Sequence, residues 1–372
     1  MVKPVRKSSN KNPPVFSHEF IIQNHADIVS CIAMVFVVAL MIQATSPIAS
    51  IFIALQHNAT SGAVGEIPLY QSGIKDWAAV FFYSLICIVI HAVFQEYVLD
   101  KITKKMHLSK SKLAIFTTSG HLSVFYAIST IWGLDIIIRE SYLPDVALLW
   151  SDYPPPMSFV MKLFFIIQLA YSLHELPEIY FQRVKKDEYF GKACSSIVSL
   201  ILVAIPYFLN FNRLLICLLV LHYTSELVHH IGQLIQTVDK DEKFTKATSA
   251  VTLVALILTR LGSIILAVLT LWYGLALHEQ TEFDYQAGYF NTAPVRLGLL
   301  GIILGLQVYL TCSLINQELA KARENKVYTT VSKSKGLKKD KSKKSKKGSV
   351  DESDLPEVDQ NTNKNLRKHK IK

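Results

Sequence analysis

The acidic, basic and imidazole side chains inside apolar segments are the first candidates for chemistry in this sequence. His222, Glu226 and His229 recur at intervals of four and three residues, which places them on one face of a helix. Imidazole and carboxylate groups at this spacing can bind a metal ion. No HExxH motif or cysteine at ligand spacing completes a zinc ligand set. The pattern therefore favours a buried hydrogen-bond network, or a polar lining of a cavity between helices, and it predicts no cofactor.

The apolar segments contain further ionisable residues. They are His91, Glu96, Asp135, His174, Glu175, Glu178, His230 and Arg260. Such groups are costly in hydrocarbon and are functional candidates by default. We expect Asp135, Glu178, His222 and Glu226 to line the polar part of a groove, and Arg260 to neutralise one of the carboxylates.

These residues must be positioned by membrane helices, because eight long apolar stretches divide the chain and 51% of its residues are hydrophobic. About 20 apolar residues span a bilayer as a helix. The predicted spans are Ile28–Ala54, Trp77–Tyr97, His121–Arg139, Phe159–Phe181, Ala193–Leu209, Leu214–Ile231, Val251–Leu277 and Leu297–Leu314. The sequence therefore predicts an all-α, polytopic helix bundle.

Two places in this assignment carry an ambiguity. Pro47 should end or kink the first helix, since proline cannot continue a helical hydrogen-bond ladder. The fifth and sixth spans are joined by a very short link that contains Asn210 and Asn212. An alternative with seven spans, in which one member of this pair is re-entrant, places the chain ends on opposite sides of the membrane.

The distribution of charge predicts the orientation. Lysine and arginine are concentrated before the first span and after the second, fourth and sixth spans, whereas the segment His278–Pro294 has none. Basic loops remain on the cytosolic side, so both termini are predicted to be cytosolic. Asn58 begins a glycosylation sequon on the predicted lumenal side. The cysteines lie in or beside apolar spans and predict helix packing rather than a disulfide framework.

The C-terminal region differs in composition from the rest of the chain. Residues 333–347 are almost all lysine, serine and glycine, a composition that favours a disordered, basic cytosolic tail. Contact with anionic lipid or ribosomal RNA is one interpretation of this charge. Ser349 is a candidate phosphosite, and Lys368 with Lys370 fits a retrieval signal of the endoplasmic reticulum.

Four sequence blocks resemble the translocating chain-associated membrane protein family. These blocks are residues 13–31, 91–102, 177–182 and 218–223. The resemblance extends over about 12–318, and residues from about 112 to 322 resemble the TLC domain that ceramide synthases share. This predicts a cytosolic segment at 1–27, two helices with their loops at 28–111, a TLC-like domain at 112–322 and a tail at 323–372.

The resemblance implies a multi-pass protein of the endoplasmic reticulum membrane beside the Sec translocon. Such proteins contact signal sequences and nascent transmembrane segments, and their neighbours would include the ribosome. Members of this family are not known to be enzymes. Ceramide synthases carry a His-His pair at positions that fall near Cys194 and Ser195 here. Without that general base an acyl transfer lacks a mechanism.

Other classes of function remain open at this point. A groove in a TLC-like bundle could bind or transport a lipid, and a bound lipid is one of the predicted partners. A small-molecule transporter is disfavoured, because the sequence has no internal repeat and no matched pair of helices broken by glycine or proline.

Overall fold

The structure is a computed structural model that describes residues 14, 17–60, 67–239, 244–285 and 287–344. The chain forms two compact units, Met1–Thr311 and Cys312–Lys372. The helices are α1 His18–Gln23, α2 His25–Met41, α3 Ser46–Ile53, α4 Asp76–Phe94, α5 Asp100–Met106, α6 Lys110–Arg139, α7 Phe159–Phe181, α8 Lys186–Phe208, α9 Asn212–Val238, α10 Thr245–Ala267 and α11 Ala293–Lys344. Short 3-10 helices occupy Val146–Leu149 and Leu275–His278, and π-helical segments occupy Gln95–Leu99 and Val268–Gly274. Two short strands, β1 Leu69–Tyr70 and β2 Met157–Ser158, pair antiparallel in register Leu69 to Ser158.

Seven helical segments in the described part of the chain are long and apolar enough to cross a membrane. They are Asp76–Met106, Lys110–Arg139, Phe159–Phe181, Lys186–Phe208, Asn212–Val238, Thr245–His278 and Ala293–Asn316. This confirms the predicted all-α polytopic fold. Eight spans were predicted, and the one that is not among these seven is the first, where His25–Met41 has only 17 residues. Both α8 and α9 are full-length candidates, with 23 and 27 residues, which contradicts the alternative with a re-entrant member of this pair.

The first predicted span, Ile28–Ala54, is a helix, a break and a second short helix rather than one continuous helix. Pro47 occupies the first turn of α3. In a continuous helix, Phe36 and Phe52 would be about 24 Å apart along the axis, but their ring centroids are 4.8 Å apart. The α3 helix therefore folds back beside α2. The expected effect of Pro47 on the helix is confirmed.

Contacts between helix ends give the relative directions of the spans. Asp76 at the start of α4 contacts Lys162 near the start of α7, and His91 near the end of α4 contacts Glu178 near the end of α7. These two helices therefore run in the same direction. His25 at the start of α2 stacks on Phe181 at the end of α7, so α2 runs in the opposite direction.

The most buried span is α7, which lies at the centre of the main hydrophobic core. Phe164, Phe165 and Leu169 are fully buried there. A Cβ at Gly133 on α6 would clash with Val220 of α9, so a glycine is required for this close approach of the two helices. The N-cap of α7 is Ser158, whose hydroxyl accepts a hydrogen bond from the backbone of Met161 at 3.4 Å. This core holds α6, α7 and α9 together and fixes the side chains described below.

The last helix differs from the prediction for the tail. Residues 323–344 are helical in the second unit, although the composition predicted disorder from residue 323. Alanine, glutamate, lysine and arginine are frequent from 317 to 328 and have high helix propensity. That local preference is the physical reason for the difference. Residues 345–372 lie outside the described part of the chain.

Candidate functional site

A cavity of about 560 Å³ lies among α6, α7, α8, α9, α10 and α11. Its walls are mostly leucine, valine, isoleucine and aromatic side chains. The helices that position these residues carry apolar stripes broken at a few polar positions. Cavities of this size, apolar with few polar groups, are typical of ligand sites.

One end of the cavity is apolar and closed. The lining of this end consists of side chains that are each at most 6% exposed, namely Phe211, Leu214, Leu271 and Leu299. These residues come from the connection before α9, from α9 itself, from the π-helical segment after α10, and from the start of α11. We refer to these four residues and Leu218 as the apolar pouch.

Polar groups line the cavity away from the apolar pouch. Glu175, His222, Arg260 and Gln307 come from four different helices. His222 follows Leu214 by eight residues on α9, which is about 12 Å along the helix axis. The cavity is therefore amphipathic along its length, with hydrogen-bonding groups at one level and hydrocarbon at the other.

The charge of Arg260 is balanced within the site. Its guanidinium lies 3.4 Å from the carboxylate of Glu226 and donates to the side-chain oxygen of Gln307 at 3.2 Å. The same group lies 3.3 Å from Nδ1 of His222. Arg260 is only 4% exposed, and a buried charge requires such a partner. The sequence predicted a carboxylate partner for Arg260, and the structure identifies it as Glu226.

The mouth of the cavity lies between α8 and α11. Val198 on α8 and Tyr309 on α11 both line the cavity, yet they are 51% and 68% exposed. Ile201 and Ile302 are also exposed on these two helices. The mouth therefore has apolar edges, and it faces the part of the surface that hydrocarbon would cover in a membrane.

The four residues predicted to line a groove do not form one site. His222 lines the cavity, and Glu226 lies behind it as the partner of Arg260. Asp135 does not line the cavity: its side chain is 47% exposed and pairs with Arg139 one turn away at 2.8 Å. Glu178 is also outside the lining. Of the four residues, only His222 is part of the lining, because the sequence shows helix faces but not which helices are neighbours.

Glu178 belongs instead to a cluster of histidines toward the ends of α4 and α7. His91 lies 3.7 Å from the Glu178 carboxylate and 3.4 Å from Nε2 of His174. His121 of α6 packs on His91 with ring centroids 3.9 Å apart and hydrogen-bonds Gln95 at 2.8 Å. Among the described residues, no three His, Cys, Asp or Glu side chains are arranged to hold a metal ion. The contacts are those of a packed hydrogen-bond network.

A buried ion pair at the opposite end of α4 and α7 was not predicted. Nζ of Lys162 lies 2.9 Å from Oδ1 of Asp76, and the two side chains are 0% and 1% exposed. The Lys162 ammonium also donates to the backbone oxygens of Gln56 and Gln71, at 2.7 and 2.6 Å. The Tyr207 hydroxyl donates to Asp76 at 2.8 Å. A lysine four residues into an apolar span was the available signal for such a partner.

The predicted glycosylation site does not line the cavity. Asn58 is exposed, and its side-chain oxygen accepts a hydrogen bond from the backbone of Thr60 at 3.0 Å. Ser349, Lys368 and Lys370 lie outside the described residues.

Comparison with known proteins gives the class of the protein first. A family model described as the TLC domain matches residues 115–316, the part of the chain that supplies most of the cavity. The fold, the apolar cavity and this match define a polytopic TLC-domain membrane protein.

The relatives then identify the family. The mouse and human proteins named translocating chain-associated membrane protein 2 are each 41% identical to the chain over 317 residues. The match covers 84% of this chain and 85% of each relative. The chain belongs to the translocating chain-associated membrane protein family. A more distant match, 24% over 139 residues, is a sphingosine N-acyltransferase-like protein of Alternaria alternata, covering 37% of this chain and 32% of the relative.

Proposed function

We propose that the protein assists translocating polypeptides in the endoplasmic reticulum membrane, beside the Sec translocon, by contacting signal sequences and nascent transmembrane segments. The observation that carries the proposal is the mouth between α8 and α11, where apolar edges lead to buried polar groups. The names of the mouse and human relatives associate those proteins with a translocating chain, which supports the same role here.

The size of the cavity limits how a client segment can bind. A helix of 20 residues, taken as a cylinder about 10 Å wide and 30 Å long, fills about 2,400 Å³. The cavity holds about 560 Å³, so an entire helix does not enter it. The client segment therefore packs against the outer edges, Val198 and Ile201 on one side and Ile302 and Tyr309 on the other, and inserts only side chains.

The benefit to the client is a lower cost of exposing polar groups to hydrocarbon. A charged or strongly polar side chain at the centre of a membrane helix costs about 3 kcal/mol on insertion scales. Glu175, His222 and Gln307 offer hydrogen bonds inside the mouth. A weak signal sequence would place its polar side chain toward these groups while its apolar face remains on lipid.

The short length of α2 supports a second effect on the client, a local thinning of the bilayer. The α2 helix has 17 residues, about 25 Å of length, against a hydrocarbon thickness of about 30 Å. Local thinning of the bilayer beside α2 and α3 reduces the mismatch of short segments. Lys101 and Lys104 on α5, and Lys186 at the start of α8, suit contact with the ribosome on the cytosolic side.

The proposed topology places both termini in the cytosol. His25 at the start of α2 stacks on Phe181 at the end of α7, and His91 near the end of α4 contacts Glu178 near the end of α7. The basic residues that follow α4 and α7 in the sequence support a cytosolic position for these helix ends. Positively charged loops remain cytosolic. Asn58 is then lumenal and is proposed as a glycosylation site.

We propose further that the chain has no acyltransferase activity. Cys194 and Ser195 line the cavity, near the positions where the ceramide synthases carry a histidine pair. Neither a thiol nor a hydroxyl provides the general base that the transfer needs. Purified protein given an acyl-CoA and a long-chain base should form no amide, with a ceramide synthase as the positive control.

Site-specific photocrosslinking tests the proposed function. A photoreactive amino acid replaces Val198 at the mouth or, as the matched control, Leu258, which is 65% exposed on α10 and does not line the cavity. Ribosomes stalled with a weak signal sequence are then targeted to vesicles that contain the Sec channel and each variant. We expect crosslinks to the nascent chain from position 198 and few from position 258. Equal crosslinking from both positions, or insertion that is equally efficient without this protein, would refute the proposal.

A further inference from the structure

We propose that the cavity holds the cationic head of a lysine or arginine side chain of the client segment, and that it therefore selects basic over acidic clients. This inference rests on the proposed function and deepens it, because it names the chemical class of the client side chain. The groups that hold the cation are three tyrosines and one carboxyl group, which we call the aromatic cage: Tyr126, Tyr171, Tyr223 and Glu175.

The aromatic cage is assembled from three helices. Tyr126 is on α6 and Tyr223 is on α9, with ring centroids 5.4 Å apart. Tyr171 and Glu175 lie one turn apart on α7, and Phe125 stacks on Tyr171 with 3.4 Å between the ring centroids. The carboxyl group of Glu175 lies close enough to interact electrostatically with all three tyrosines. The carboxyl group and the three rings therefore share one part of the cavity wall.

Such a group of side chains recognises a cation. The face of an aromatic ring carries partial negative charge, and it attracts an ammonium or guanidinium group within about 6 Å of the ring centroid. A lysine ammonium has only donors, whereas tyrosine hydroxyls and a carboxylate accept hydrogen bonds. In an apolar cavity these contacts replace the water that the cation loses. An aliphatic side chain gains none of them, and a carboxylate is repelled by the ring faces and by Glu175.

The other charges of the site leave this preference unopposed. The Arg260 guanidinium is balanced by the carboxylate of Glu226 at 3.4 Å, so it is not a free cation for an acidic client. Within the described residues, Glu175 hydrogen-bonds Ser196 and has no cationic partner. A carboxylate in a buried site is stabilised by a counter-charge. A lysine or arginine of the client supplies that charge.

The aromatic cage can be reached from the mouth. Val198 at the mouth follows Cys194 by one turn of α8, and both line the cavity, about 6 Å apart along the helix axis. Ser196, the partner of Glu175, lies between them in the sequence. Lysine and arginine extend their heads on long apolar stems. A client segment packed on the edges of the mouth can therefore place a basic head in the cage while its backbone stays outside.

Crosslinking of one peptide in three versions tests this inference on the purified full-length protein in an uncharged detergent. The probe is a transmembrane peptide of about 20 leucine and alanine residues. One position is lysine, glutamine or glutamate, and a photoreactive leucine analogue lies one helical turn away. The crosslinking yield over a range of peptide concentrations gives an apparent Kd for each version. The lysine peptide should bind about tenfold more tightly than the glutamine peptide, and the glutamate peptide should bind most weakly.

Removing the charge of the aromatic cage provides the second measurement. Glu175→Gln keeps the shape of the side chain, and it should bring the apparent Kd values of the lysine and glutamine peptides close together. The matched control is Glu188→Gln, which removes the same charge from an exposed position on α8 outside the lining and should keep the preference for lysine. Tyr126→Leu removes one ring face and should reduce the preference. If a cage variant does not fold, the three peptides on the unmodified protein decide the question.

Several results would overturn the inference. Equal apparent Kd values for the lysine and glutamine peptides would show no selection of a cation. A preference for lysine that a folded Glu175→Gln protein retains would show that the cage is not its source. Displacement of the lysine peptide by an equimolar lysophosphatidylcholine would assign the cage to a choline headgroup instead of a client side chain. These results leave crosslinking of a signal sequence at Val198 intact, whereas a lack of that crosslink would refute the proposed function whatever the three peptides show.

Discussion

The buried pair Asp76 and Lys162 gives the most quantitative prediction. Lys162→Met removes the ammonium group but keeps a side chain of similar length. It leaves the Asp76 carboxylate, at 1% exposure, without its counter-charge, and it leaves the backbone oxygens of Gln56 and Gln71 without their donor. Removing one member of a buried ion pair costs about 3–5 kcal/mol.

The expected change in melting temperature follows from that energy. At about 2–4 °C for each kcal/mol in larger domains, the variant should melt on the order of 10 °C lower. The double variant Asp76→Asn with Lys162→Met should recover part of the loss, because no unpaired charge is then buried. The Tyr207 hydroxyl and the backbone of Gly73 can still donate to an amide oxygen at position 76.

The assay is thermal unfolding of the purified full-length protein in one detergent, followed by intrinsic fluorescence. Lys192→Met is the matched control, since Lys192 forms an exposed pair with Glu188 at 3.7 Å with both side chains more than half exposed. An exposed pair of this kind contributes about 0–1 kcal/mol. The reasoning is refuted if Lys162→Met shifts the melting temperature no more than Lys192→Met, or if the double variant is less stable than the single one.

Three other predictions use the same assay. Arg260→Met removes the guanidinium from the Glu226 carboxylate and leaves it only His222, at 3.8 Å, so it should destabilise the protein by about 3 kcal/mol. Adding Glu226→Gln should recover part of the loss, and additive effects would contradict the pairing. Gly133→Ala forces a Cβ against Val220 and should lower the free energy of unfolding by about 1–3 kcal/mol. The control is Gly298→Ala, which has open space around it and should be neutral or slightly stabilising. Equal effects of the two variants would contradict the close approach of α6 and α9. Burial lowers the pKa of His57 below its usual 6.5, so its stabilising contribution is present above pH 6.5 and is lost as the pH falls through the lowered pKa. The melting temperature is measured at pH 7.5 and 5.5, roughly one unit on either side of the ordinary pKa of histidine. The difference between these two melting temperatures should be larger for the unmodified protein than for His57→Asn. Equal differences would rule out this histidine as the cause.

A large part of the fold could be predicted because membrane helices are encoded locally. Hydrocarbon cannot satisfy backbone groups, so each crossing needs its own apolar stretch, and the predicted span Phe159–Phe181 matches α7 at both ends. Helix ends in basic regions were less predictable. The second span continues to Met106 through a π-helical segment, and the third starts at Lys110 rather than His121, since polar residues can extend a helix beyond the apolar stretch.

The break in the first span was predicted only in part. Pro47 is a local signal, because it lacks the backbone donor that a continuous helix uses. The direction of α3 after the break depends on the packing of Phe36, Phe52 and Phe81. Such packing involves another helix and has no local signature.

The candidate site shows the same division between local and tertiary information. The sequence by itself determined that His222 and Glu226 share a helix face and that Arg260 needs a carboxylate. It did not determine that the partner is Glu226, or that Glu178 joins a separate cluster with His91. Helix periodicity specifies the face on which a side chain lies, but not which neighbouring helix that face meets.

The sequence therefore determined the positions of the long apolar segments, the pattern of charge and the family, all of which depend on local composition or direct similarity. Only the tertiary structure decided the cavity, its mouth at Val198 and Tyr309, and the ion pair of Asp76 with Lys162. These features arise where residues far apart in the chain meet, and the energy that selects each meeting is a property of the packed bundle rather than of any one helix.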